Sequence, residues 1–73
     1  MKKQEQLFVD YMEDGTLPEH KEEMKTLLQE IVQRKQRGGL DKAYLTGILP
    51  RLFSYLNPDK VAEAKKIIEQ YTS

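Results

Sequence analysis

The sequence has no cysteine, no tryptophan, one histidine and only three prolines in 73 residues. Without thiols there can be no disulfide framework and no thiolate metal centre. A chain this short must therefore be held by packing, with a second chain as the obvious supplement. The lone histidine, His20, lies among Glu19, Glu22 and Glu23. One imidazole with flexible surface acids makes a poor metal site, so His20 reads as solvated surface and no metal is expected. Catalysis lacks its parts as well. Ser54 and Ser73 have no histidine near them in sequence, so no enzyme, cofactor or small-molecule substrate is expected. No run approaches the ~20 apolar residues of a membrane span, and Met1-Lys2-Lys3 leads into no signal-peptide core, which predicts a soluble, cytoplasmic chain.

Excess charge of one sign is missing too. Twelve Lys+Arg offset twelve Asp+Glu, so no overall field draws the chain to nucleic acid or to an anionic membrane. The balance is uneven locally: residues 1–32 carry a net charge of −4, and residues 33–57 carry +4 from Arg34, Lys35, Arg37, Lys42 and Arg51 against Asp41. The plain reading is an acidic first half and a basic middle that attract each other, within a chain or between chains. Lys2-Lys3 is too short for a basic arm, and Arg37-Gly38-Gly39 reads as a helix stop rather than an RNA-binding tract. No internal repeat stands out.

What is present is helix. Glu, Lys, Gln and Leu dominate and β-branched residues are scattered, so the fold class is all-α, a compact bundle of four or five short helices with one long central helix, in a single domain over residues 1–73. The first helix is predicted over 3–13, with Leu7, Phe8, Tyr11 and Met12 as its stripe and Gly15 as a left-handed stop. Thr16 with Glu19 suggests a capping box for the long helix, whose seam is Met24, Leu27, Leu28, Ile31 and Val32, and Gly38-Gly39 ends it. Asn57-Pro58-Asp59 opens the last helix, with Val61, Ala64, Ile67, Ile68 and Tyr71 on its inner face.

The segment from Leu40 to Leu56 is different in kind. At 100° per residue its apolar side chains cover about 220° of arc, more than one buried face needs. Pro50 either kinks this helix or restarts it after a stop at Gly47, and the break is the favoured expectation. An apolar surface too wide for its few neighbours points to a non-enzymatic protein-interaction module or regulatory subunit. It would bind a partner protein, or itself as a homodimer, through Tyr44, Leu45, Leu49, Arg51 and Tyr55. Phe53 is expected in the core. Small bacterial and phage regulators share this size, which is analogy only. The alternative is a helix-turn-helix-like DNA-binding regulator over residues 43–56, with Arg51, Ser54 and Asn57 offered to DNA, although that segment carries fewer polar and basic side chains than most such readers.

Overall fold

Among the described residues four α-helices form, α1 (Lys3–Asp14), α2 (Lys21–Gln36), α3 (Lys42–Tyr55) and α4 (Val61–Thr72); α1, α2 and α4 lie where apolar spacing and punctuation predict them, and α3 runs through the expected break. The computed structural model describes residues 3–72; Lys2 and Ser73, both considered above, lie outside the described residues. Short 3-10 turns, Pro18–His20 and Pro58–Lys60, lead directly into α2 and α4. Proline suits a first turn because its missing N–H would have had no helical partner there.

The inner faces follow the three- and four-residue spacing. Met24, Leu27, Leu28 and Ile31 are buried from α2, and Ala64, Ile67, Ile68 and Tyr71 from α4. Phe8 and Met12 do the same for α1, whereas Leu7, expected on that stripe, is 55% exposed because it sits about 100° round the helix from Phe8. Asn57 caps as expected, its side chain accepting from the Asp59 amide.

Three local expectations are corrected. Gly15 is not left-handed; among the described residues the positive φ is at Gly38, 77°. What Gly15 provides is room, since a Cβ there would stand 3.1 Å from Lys60 Cγ. Gly38 closes α2, where its amide donates to Lys35 O and that of Gly39 to Arg34 O at 2.8 Å. That pair of bonds satisfies two carbonyls at the end of the helix. Thr16 is not an N-cap: its hydroxyl turns back to donate to Met12 O, and no side chain caps the Pro18 turn.

The third correction is the largest. α3 runs unbroken from Lys42 to Tyr55 with Pro50 inside it, so neither the stop at Gly47 nor the restart exists. Pro50 and Thr46 are both exposed. The Thr46 carbonyl that loses its helical donor therefore lies on the watered side, while Ile48 and Leu52 stay buried on either side of the proline. Asp41 starts the helix by accepting from the Tyr44 amide at 2.8 Å.

The fold also contains a repeat that residue identities hide. Apart from Gly15, each buried residue has a buried counterpart forty positions away: Phe8 with Ile48, Met12 with Leu52, Thr16 with Leu56, Met24 with Ala64, Leu27 with Ile67, Leu28 with Ile68, and Ile31 with Tyr71. The backbone obeys the same relation. Thr16 and Leu56 form a single antiparallel bridge, flanked by Leu17 N to Tyr55 O at 2.9 Å and Asn57 N to Gly15 O at 2.8 Å. Exchanging the halves turns one flanking bond into the other. Two helix pairs, α1–α2 and α3–α4, thus meet about an approximate local twofold at the bridge, and they interlock because α1 packs on α4 and α2 on α3, although α1 lies closer on α2 than α3 does on α4. Phe8 stacks on Tyr71 across that interlock, with ring centroids 4.6 Å apart and planes 3° from parallel.

Candidate docking surface

The local twofold turns each surface position into a control for another. Between α1 and α2 lies a shallow groove of about 600 Å³, lined from α1 by Glu5, Gln6, Val9 and Glu13 and from α2 by Lys25, Leu28, Gln29 and Val32 among others. The corresponding groove between α3 and α4, about 200 Å³, is lined by Leu49, Phe53, Lys65, Ile68 and Glu69. Applying the forty-residue interval, Glu5, Val9 and Glu13 correspond to Leu45, Leu49 and Phe53. At a spacing of four these fall in one stripe along each helix. In α1 the stripe is acid, valine, acid; in α3 it is wholly apolar.

None of the nine large apolar residues of the 40–56 segment is fully exposed, yet only Ile48, Leu52 and Leu56 are buried. Leu40, Tyr44, Leu45, Leu49, Phe53 and Tyr55 pack against the core while remaining partly open. The wide apolar arc is therefore neither enclosed nor bare. Phe53, expected in the core, belongs to this intermediate set, and the Lys65 ammonium stands 5.8 Å from its ring centroid.

The residues singled out for binding separate onto two faces. Leu45 and Leu49 line up with Phe53. Tyr44, Arg51 and Tyr55 look toward α2 instead. The Tyr44 hydroxyl donates to Glu30 Oε1 at 2.8 Å, and the Arg34 guanidinium lies 3.9 Å from the centre of its ring. Burial, reinforced by the Glu30 hydrogen bond and charge, raises the Tyr44 pKa above its ordinary value, and Arg34 opposes part of that rise. Tyr55 lies 5.0 Å from the His20 ring and shares a shallow depression with Arg51, Glu23 and Glu30. Tyr44 is thereby tied to α2.

A helix-turn-helix over 43–56 needs a turn inside that range, and the range is one helix as far as Tyr55. The polar groups set aside for DNA have local work: Ser54 Oγ donates to Arg51 O at 2.6 Å, and Asn57 caps the next turn. His20 Nδ1 is 2.7 Å from Glu23 Oε1. Among the described residues no three His, Asp or Glu side chains are grouped to hold a metal ion, and no helix is long and apolar enough to cross a membrane.

The groove rim, Lys65 and Glu69, is not among the binding residues that the sequence suggests. A signal for it existed: Pro18-Glu19 and Pro58-Asp59 open two helices forty residues apart, each followed by apolar residues at matching offsets. No protein-family model, curated protein or solved structure matches the chain.

Proposed function

We propose that this protein is a non-enzymatic interaction module of the cytoplasm whose α3 face, Leu45, Leu49 and Phe53, seats on a protein partner. One observation carries the proposal: the same groove on the other hairpin has Glu5, Val9 and Glu13 in the equivalent places. The first hairpin folds with charged residues at those positions, which supports a need beyond packing for three apolar side chains in a row on α3. Apolar side chains that remain half open and are flanked by charged groups have the composition of a small binding patch. The mechanism is occupancy, in which covering this face blocks or assembles the partner.

The test uses the internal control. Immobilised wild type, Leu49→Asp and Val9→Asp are compared for the proteins they retain from an extract, after circular dichroism has shown equal helix content. Val9→Asp is expected to retain what the wild type retains and Leu49→Asp to lose it. Retention by Leu49→Asp equal to that of the wild type, together with unchanged self-association of the purified chain, would remove the proposal.

A further inference from the structure

We infer that the occupant of the α3/α4 groove is a second copy of this chain, docked about a twofold axis that passes beside Leu49. The inference rests on the docking role proposed for that face and adds the identity of the partner. It follows from the order of residues along the groove. α3 and α4 share the turn at 56–60, so distance from that turn runs Phe53, Leu49 along one wall and Lys65, Glu69 along the other, with Leu45 one helical turn beyond the lining on the α3 stripe. Lys65 is at the Phe53 end, 5.8 Å from that ring. Glu69 lies one helical turn further on and has no hydrogen-bond or ion-pair partner among the described residues.

A groove that is basic at one end and acidic at the other is complementary to itself when reversed. A twofold dimer brings each residue of a pair to its counterpart's place. Leu49 then meets Leu49 of the second copy, Phe53 meets Leu45, and Lys65 meets Glu69 at both rims. The α1/α2 groove has no such match: its helix α1 contributes Glu5 and Glu13 at the two ends of one wall, so reversal opposes acid to acid. Of the two corresponding grooves, that of the second hairpin is the one that can pair with itself.

The patch is small, because its three apolar residues are already partly covered. Stable dimers bury about 800 Å² per partner. The association is therefore a weak one, populated at high protein concentration.

Sedimentation equilibrium over a wide concentration range tests this with four chains: wild type, Lys65→Glu, Glu69→Lys and the double exchange. The wild-type mass should climb from 8.6 kDa toward twice that value as concentration rises. Each single reversal places like charges at both rims and should weaken dimerisation by about fivefold or more, and the double exchange should restore it to within about twofold. Double-variant recovery of dimerisation, with helix content and melting temperature equal in all four chains, is the decisive result, since positions 65 and 69 are also neighbours within α4. A wild type that stays at 8.6 kDa at every concentration, or a double variant no better than the singles, overturns the inference. If the wild type stays monomeric while Leu49-dependent retention of another protein persists, the second copy is wrong and the docking face stands. If Leu49→Asp changes neither measurement, both fall.

Discussion

The two hairpins have the same plan inside and opposite characters outside. Seven buried positions of the first find buried counterparts in the second, and the turns of both join at one bridge. On the groove side, Glu5, Val9 and Glu13 face one way of solving the surface, and Leu45, Leu49 and Phe53 another. Where the same backbone position accepts glutamate in one half and phenylalanine in the other, packing alone does not choose the residue. The difference separates what the fold requires from what a partner requires.

The comparison can be broken most severely in the core. Met12 and Leu52 occupy equivalent sites and are both 0% exposed. Met12→Ala and Leu52→Ala should each cost about 2–5 kcal/mol, measured by urea unfolding. Against a total stability of roughly 4–11 kcal/mol for a domain of this size, either loss is grave. A cost at one site several times that at the other would show that the hairpins are not equivalent inside.

Glycines give a smaller contrast with opposite signs. Gly38 holds φ at 77°, so Gly38→Ala should lose about 1–2 kcal/mol from left-handed strain. Gly47 lies within α3, where an added Cβ would meet nothing within 4 Å. Gly47→Ala should gain about 0.5–1 kcal/mol from helix propensity. A loss at Gly47 would contradict the open surroundings of that position.

Tyrosines sharpen the picture further. The Tyr71 hydroxyl is buried with no hydrogen-bond partner among the described residues. Tyr71→Phe should therefore leave stability unchanged or raise it by up to about 1 kcal/mol in the same unfolding assay. The smallest effect is alkaline. Burial raises the pKa of Tyr44, helped by Glu30, and that of Tyr71, helped by the Glu5 charge, above the ordinary 10.0. The fold thus favours the neutral phenols, so their contribution is complete below about pH 10 and falls as the pH rises beyond it. The double Tyr44→Phe, Tyr71→Phe variant should lose less stability between neutral and alkaline pH than the wild type does.

Much of this architecture is legible in residue spacing. The seams of α2 and α4 follow from three- and four-residue periodicity, and the Asn57 cap from its side chain and the proline behind it. Other features depend on partners that are distant in sequence. Pro50 looks like a boundary until it is clear that Ile48 and Leu52 share one core on either side of it. Thr16 looks like a cap until Leu56 pairs with it. The duplication escapes notice because burial, not identity, is what repeats: Glu23 and Glu63 match, but Phe8 answers to Ile48 and Met24 to Ala64. At the candidate surface, the apolar excess of the 40–56 segment is visible in composition. Its division into a free stripe and a set held by α2 is not, because Glu30 and Arg34 reach Tyr44 only across the bundle.

The central claim is tested most directly by giving the second hairpin the surface of the first. The triple variant Leu45→Glu, Leu49→Val, Phe53→Glu copies the α1 stripe onto α3. Thermal unfolding followed by circular dichroism should show a melting temperature lowered by less than Leu52→Ala alone lowers it. A triple variant that melts lower than Leu52→Ala, or does not fold at all, would place these three side chains among the requirements of the fold and contradict the account.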